Sequence, residues 1–327
     1  MARILHRFLP AAETDIEIET GSADELSYTA ASMQGWRKNQ EDRYICLPNF
    51  YENSCYFGVF DGHGGFVVAE FLKRRLHVEI KYFLRDGQDT ETALHSGFLT
   101  CDSSMRTPET IDELNSIIEE HFGSSSDDDD DEDSSSSDSD EEIRQPAFAC
   151  GSTATVAIIE NNTIYVANVG DSRCVLSRDR IAIDLSKDHR PDDLEERIRI
   201  TNAGGTVSQD GRINGSLNLS RGFGDFRFKS TCDTTQQMLS VEPFIKSIAI
   251  EENDEFLIIA SDGIWNSMGS QDVVDFVTER FQDEECDLEE ICKNIFHLNL
   301  SPNPIKEGTG CDNMTAIIVM LNNAENL

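Results

Sequence analysis

The stretch TATVAIIENNTIYVANVGDSRCVLSRDRIAID, residues 153–184, decides the fold class. It divides into four runs rich in β-branched residues, 153–159, 163–169, 173–176 and 181–184, with short polar turns such as Asn161-Asn162 and Asp171-Ser172. Short strands joined by tight turns read as a β-meander. Upstream, Tyr56 to Phe60 is a compact apolar strand that stops abruptly at Asp61-Gly62-His63-Gly64-Gly65. Downstream, residues 256–260 and 315–320 read as two further strands. Helical spacing governs the stretches between. From about 66 to 84, Val68, Phe71, Leu72, Leu76 and Ile80 fall on one face. Further helices are expected near 90–105, 109–122, 192–203, 270–282 and 287–300, the third of these ending at Gly204-Gly205. Meandering strands with helices grouped between them argue α+β, not alternating βαβ units. No internal repeat is present.

The chain has 327 residues, of which 38% are hydrophobic, enough for one large domain or two small ones. Its formal net charge of −35 opposes nucleic-acid phosphates as a main partner and favours metal cations and basic proteins. Nine cysteines, with no CxxC pair, suggest free thiols in a reducing compartment, not a disulfide framework or a zinc site. The opening MARILHRFLP is too short an apolar patch for a signal core, Ala2 replaces the glycine that N-myristoylation needs, and no run is long enough to span a bilayer. A cytoplasmic or nuclear monomer without a membrane association is the expectation.

Residues 1–26 read as a polar, irregular arm, 27–322 as the main domain and 323–327 as a tail. The domain is interrupted at 123–142 by GSSSDDDDDEDSSSSDSDEE, which has no aliphatic, aromatic or basic residue. Such a segment cannot bury surface to offset chain entropy and is expected to be disordered. Without its 11 acidic residues the chain still carries −24, so the acidity is not confined to the insert.

Three aspartates stand at strand ends: Asp61 after YFGVF, Asp262 after FLIIAS, and Asp312 before TAIIVM. Carboxylates on rigid strand ends can converge, and hard divalent cations prefer oxygen ligands. A carboxylate bridging two such ions about 3.5–4 Å apart would hold an oxygen nucleophile for in-line displacement at phosphorus. Glycines at 62, 64 and 65 let backbone approach closely. Singly, an Asp-Gly after a strand is an ordinary turn; the argument rests on several such sites occurring together and in order.

Seven motifs carry a resemblance. They are Gly35-Trp36-Arg37 with Glu41-Asp42; Asp61-Gly62-His63-Gly64-Gly65; Gly151-Ser152-Thr153-Ala154; Gly170-Asp171-Ser172-Arg173; Asn214-Gly215-Ser216-Leu217 with Ser220-Arg221 and Gly224-Asp225; Ser261-Asp262-Gly263-Ile264-Trp265; and Gly310-Cys311-Asp312-Asn313. Together they resemble the protein phosphatase 2C family of metal-dependent phosphatases, in the family's order, from about residue 27 to 320. The acidic insert and DGIWN…SQDVVDF are most similar to its gamma-type, acidic-domain branch. The resemblance implies an α-β-β-α sandwich of two antiparallel sheets flanked by helices. It implies two Mg²⁺ or Mn²⁺ ions, with Asp61 bridging both, the Gly62 carbonyl on one, and Asp262 and Asp312 completing the other. Glu41 and Asp42 would act mostly through waters on the ions. Arg37 would pair with the substrate phosphate, a task that suits a planar bidentate donor. His63 would be the general acid for the leaving serine or threonine oxygen. Asp171 either joins Asp262 at a weaker third ion or caps the turn in GDSR.

Many family members have an acid after DGxW where this chain has Asn266, a weaker cation ligand, and this bears on the third ion alone. Residues 190–206 match the flap beside the family's cleft. The acidic tract is either a solvated spacer or a docking segment for basic proteins. Ser124, Ser125 and Ser126 each have an acid three residues on, as an acidophilic kinase requires, and each phosphate would add roughly −1.5 to −2 charge. The expected activity is therefore hydrolysis of phosphoserine and phosphothreonine esters in phosphorylated proteins, a signalling reaction. Two other readings are a pseudophosphatase scaffold that binds basic proteins through the insert, and a metal hydrolase for small phosphate compounds. The intact set Arg37, Asp61, His63, Asp262 and Asp312 argues against the scaffold.

Overall fold

The structure, a computed structural model, describes residues 8–23, 26–123, 145–231, 233–281, 287–304 and 309–321. Ser124, Ser125, Ser126, the rest of the acidic insert and the tail at 323–327 lie outside the described residues. In chain order the first elements are β1 (Phe8–Ala23), β2 (Leu26–Arg37), β3 (Arg43–Tyr51), β4 (Ser54–Phe60) and β5 (Gly62–His63). Three helices follow: α1 (Val67–Arg85), α2 (Thr90–Ser104) and α3 (Pro108–Phe122). Next come β6 (Gly151–Ser152), β7 (Ala154–Glu160), β8 (Thr163–Val169), β9 (Arg173–Arg178), β10 (Ile181–Asp184) and α4 (Leu194–Asn202). The remainder is β11 (Phe223–Gly224), β12 (Phe244–Ala249), β13 (Asp254–Ala260), α5 (Asp262–Trp265), α6 (Ser270–Phe281), α7 (Leu288–Asn299) and β14 (Met314–Met320). The class is α+β with antiparallel sheets. No helix among the described residues is long and apolar enough to cross a membrane.

The chain divides into two compact units. The first comprises residues up to Asp61, Thr153–His189 and the chain from Pro243 onward. It holds a six-stranded sheet, β1-β2-β14-β13-β9-β10, and a five-stranded one, β12-β8-β7-β4-β3. Strand alternation sorts its side chains into two cores. Cys174 and Leu176 of β9, Leu257 and Ile259 of β13, and Ile317 and Val319 of β14 point one way, into a core shared with Phe57, Val59, Ala157, Ile164 and Val166 of the other sheet. Val175, Phe256, Ile258, Ala316 and Ile318 point the opposite way and pack on Val273, Val277, Ile291 and Phe296 of α6 and α7. Burial on both faces explains why residues 256–260 of β13 and 316–320 of β14 are continuously apolar instead of alternating. The turn between β7 and β8 uses Asn161 and Asn162 at φ +48° and +61°, the left-handed pair that a two-residue hairpin demands.

Residues 8–23 correct the expectation of an irregular arm. They form β1, with Ile16 opposite Met33 and Ile18 opposite Ala31 of β2. The run Asp15-Ile16-Glu17-Ile18-Glu19 alternates polar and apolar, so it turns one half-buried face toward the core. As the edge of its sheet, its acidic side chains also oppose pairing with another chain. The one-turn helix α5 and the strand β12 are likewise additions to the sequence reading.

The second unit comprises Gly62–Ser152 and Arg190–Glu242. It holds α1 to α4, a small sheet ordered β11-β6-β5, and a core of Ile200, Ile213, Leu217, Leu219, Phe228 and Leu239. Gly97 lets α2 lie close on α1, since a Cβ there would come within 2.5 Å of the Ile80 side chain. Asp89 and Thr107 cap α2 and α3 by accepting from the backbone N–H groups of Thr92 and Thr110.

The fixed point of α4 is Glu196, which is 2% exposed. Its carboxylate accepts from Arg221 Nη2 at 2.7 Å and from Arg199 Nη2 at 2.7 Å, while Arg199 also donates to the Ser220 carbonyl at 2.6 Å. Burial alone would raise the Glu196 carboxyl, but the two guanidinium groups hold it down at about 2. A depressed folded value means stabilisation that is full above the unfolded value near 4.3 and lost as pH falls toward 2. Glu196→Ala leaves two half-buried cations without their shared carboxylate and should cost about 3 kcal/mol at pH 7. Urea unfolding of both proteins at pH 7 and pH 3 checks this, with the deficit of the variant shrinking at the lower pH.

Candidate metal and phosphate site

The first unit gathers its carboxylates through backbone geometry. Asp61 leaves the end of β4 with its N–H donating to Thr153 Oγ1 at 3.1 Å and its carbonyl accepting from Thr153 N at 2.9 Å. Asp171 follows β8 through Gly170, whose φ of +105° turns the chain sharply, and is buried. Asp262 opens α5 directly after β13. There Gly263 lies so close to the chain at Asn313 that a Cβ would come within 2.0 Å of the Asn313 carbonyl oxygen. One oxygen from each of Asp61, Asp171 and Asp262 lies within 4.8 Å of the other two.

A second layer holds two more acids against this trio. Asp42, 3% exposed, accepts from Ser261 Oγ at 2.8 Å, and Ser261 Oγ in turn accepts from Thr315 N at 3.1 Å. Asp312 accepts from Arg37 Nη2 at 2.5 Å and from Asn313 N at 2.9 Å. The Asn313 side chain fixes the segment that carries Glu41. Its Nδ2 donates to the carbonyls of Gln34 and Asn39 at 2.8 and 3.0 Å, and its Oδ1 accepts from Glu41 N at 2.9 Å. Asn266 Nδ2 donates to Asp262 Oδ2 at 2.8 Å.

The electrostatics follow from crowding. Burial, then the charges of Asp42, Asp262, Asp312 and Asp171, push the Asp61 carboxyl well above the usual carboxylate range. Burial and Asp312 push Asp42 up to about 7 and Asp262 up to about 6. Burial would lower Arg37, but Asp312, with Asp61 and Asp262 behind it, holds the guanidinium above its ordinary value. Hard oxygen donors pressed together against their own repulsion fit a divalent cation, whose charge reverses the penalty.

The sequence-predicted residues are thus not equivalent in the structure. Asp61 and Asp262 meet, and Asp171, read as an outer residue or a turn cap, completes their trio. Asp312 contributes charge to the group while paired with Arg37. Gly62 opens β5 and pairs with Ser152 in the second unit. His63, also in the second unit, shares a short hydrogen bond with Asp225, which is 0% exposed. Sequence reading gave Asp225 no role, although it stands inside a quoted motif. Of the residues that hold the acids in place, Ser261 and Asn313 stand inside quoted motifs without an assigned role, and Thr315 carries no signal of its own.

A family profile described as protein phosphatase 2C matches residues 26–304. Probable protein phosphatase 2C 11 of Oryza sativa subsp. japonica is 40% identical, over 95% of this chain and 90% of that protein. Probable protein phosphatase 2C 21 of Arabidopsis thaliana is 37% identical, over 95% and 91%. Among solved structures, a serine-threonine phosphatase 2C from Toxoplasma gondii superposes with a TM-score of 0.67 at 19% identity, over 94% of this chain and 99% of that one, a likeness of fold.

Proposed function

This chain belongs to the protein phosphatase 2C family and is a metal-dependent protein serine/threonine phosphatase, and we propose that the acidic centre of its first unit carries that chemistry. The observation behind the proposal is the trio Asp61, Asp171 and Asp262, with oxygens within 4.8 Å of one another and no histidine or cysteine in the set. Such a set would hold Mg²⁺ or Mn²⁺, two ions with a weaker third. Bound there, the ions would supply Lewis acidity at phosphorus and lower the pKa of water. Asp61, Asp262 and Asp312, with the Gly62 carbonyl, are the assigned ligands. Glu41 and Asp42 orient water, and Asp171 borders the third position. Arg37, held beside the acids by Asp312, orients the phosphate through its fork of N–H donors. His63 protonates the leaving oxygen. A scaffold function is not favoured, since it needs none of these groups. Turnover of a phosphothreonine peptide, assayed with Mn²⁺, after chelation and after Mn²⁺ is restored, is the direct test. Activity should vanish on chelation and return, and full activity in the stripped protein would remove the assignment.

The substrates we envisage are basic phosphoproteins met by a monomeric enzyme in the cytosol or nucleus. Supporting the compartment, the seven described cysteines are all free thiols. The acidic insert would raise the local concentration of a cationic substrate, an effect screened over about 8–10 Å at physiological salt. Deleting residues 124–142 should leave KM for a neutral phosphopeptide almost unchanged. For a lysine- and arginine-rich phosphoprotein it should raise KM and flatten the salt dependence. No change with either substrate would make the insert a spacer.

A further inference from the structure

We propose that Asp225 is the positioning residue of His63, holding the imidazole by Nε2 so that Nδ1 is the atom that serves the leaving oxygen. The inference rests on the reading of His63 as general acid. It begins with a small sheet built to bring the two side chains together. His63 of β5 lies opposite Gly151 of β6, and Gly151 lies opposite Gly224 of β11, the residue before Asp225. Three short strands therefore place His63 and Asp225 on either side of a glycine. Gly151 has to be one: a Cβ there would come within 2.4 Å of Asp225 Oδ2 and 2.6 Å of His63 Nε2.

The backbone of Asp225 is also shaped for the contact. Its φ and ψ of +50° and +42° are left-handed, a conformation that a non-glycine residue adopts at a cost. That conformation is held from both sides. Asp225 N donates to the Cys150 carbonyl, and the Asp225 carbonyl accepts from Phe228 N, each at 2.9 Å. Asp225 is 0% exposed, whereas the His63 side chain is 27% exposed, so the carboxylate is the fixed member and the ring faces outward. Arg227 Nη2 stands 3.4 Å from Asp225 Oδ1, on the oxygen that His63 does not use.

The chemistry follows from the two ring nitrogens. A carboxylate at Nε2 accepts the hydrogen bond of an Nε2–H and leaves Nδ1 to exchange its proton, because the partner of one nitrogen sets the state of the other. As the phosphate ester bond breaks, its electron pair stays on the serine or threonine oxygen. The Nδ1 proton of the doubly protonated ring moves to that oxygen, and the ring becomes neutral with its Nε2–H still donated to Asp225. The attacking water leaves its hydroxyl on phosphorus and supplies the proton that restores Nδ1. An imidazole without this partner would populate both tautomers and several rotations.

Two measurements on the full-length protein test the inference. The first is the tautomer of His63 by ¹H–¹⁵N long-range correlation in histidine-labelled protein, with the resonance assigned from a His63→Ala spectrum. The neutral ring should carry its proton on Nε2, and Asp225→Asn should shift the population toward Nδ1. The second is turnover on a phosphothreonine peptide, with its poor alkoxide leaving group, against p-nitrophenyl phosphate. Asp225→Asn should lower the first about 10- to 100-fold more than the second, within the range that general acid catalysis supplies. Combining it with His63→Ala should add little further loss. If His63→Ala discriminates between the substrates while Asp225→Asn neither discriminates nor moves the tautomer, Asp225 is merely a packed acid and the inference fails. If His63→Ala lowers both substrates equally, the general-acid reading fails instead. Should Asp225→Asn not fold, the wild-type spectrum decides alone, and a proton on Nδ1 of the neutral ring overturns the proposal.

Discussion

Asp262→Ala should lower turnover by at least about 10²–10³-fold at saturating Mn²⁺, the loss expected when several kcal/mol of cation-mediated stabilisation disappear. The same substitution should not harm the metal-free fold. Asp262 sits among Asp61, Asp171 and the charge of Asp312, and its carboxyl is raised to about 6 by burial and by Asp312. Raised values mean that the folded, metal-free protein holds more protons than the unfolded chain. Stability from these groups is therefore full below the unfolded value near 3.9 and falls as pH rises through about 6 to 7. Removing one of the crowded charges relieves part of that penalty. The stripped variant should melt at or above the wild-type temperature at pH 7.5, whereas Mn²⁺ should raise the wild-type Tm far more than that of the variant. Calorimetric titration with Mn²⁺ checks the ligand assignment without reference to turnover. A folded variant with wild-type rate and wild-type Mn²⁺ affinity would exclude Asp262 as a ligand.

The parts of this architecture that were legible in the sequence are those where one local rule governs. The four strands of the meander carry β-branched runs and Asn161-Asn162 at a left-handed turn, and they emerged within two residues of expectation. Helix α1 declared itself through an apolar stripe that ends on Leu72, Leu76 and Ile80, all fully buried. β1 escapes the sequence reading because its alternation of Ile16 and Ile18 with acids sits in a predominantly polar stretch. Strand pairing with β2 then decides which reading holds, and that is a long-range event. At the site, the acids were found because motifs marked them. Which of them cluster most tightly was not legible, since it depends on distances between strand ends far apart in the chain. Asp171 and Asp262 are 91 residues apart in numbering yet share one cluster, and Ser261 reaches Asp42 across 219. Asp225 illustrates the limit most clearly: a Gly-Asp pair predicts a turn, and only the register of β5, β6 and β11 turns it toward His63.

His63→Ala should slow hydrolysis of a phosphothreonine peptide by about 10²–10⁴-fold, the usual worth of a general acid, and slow p-nitrophenyl phosphate far less. An alkoxide is a poor leaving group and needs its proton as the ester bond breaks, whereas p-nitrophenolate departs without one. The competing explanation is structural, because removal of the imidazole leaves the Asp225 carboxylate, at 0% exposure, without the partner it has now. A buried acid left with Arg227 alone, 3.4 Å from its other oxygen, costs stability and would disturb Asp61, two residues before His63 in the chain, which would depress both substrates together. His63→Gln separates the two causes. Its amide N–H can still donate to Asp225, so a structural role predicts recovery of rate, but glutamine has no proton to give at neutral pH. Persistence of the alkyl-selective loss in His63→Gln, with the melting temperature restored toward wild type, is the expected result. Recovery of the peptide rate by glutamine would show that the ring serves only to hold the loop, and the proton would then have to come from solvent.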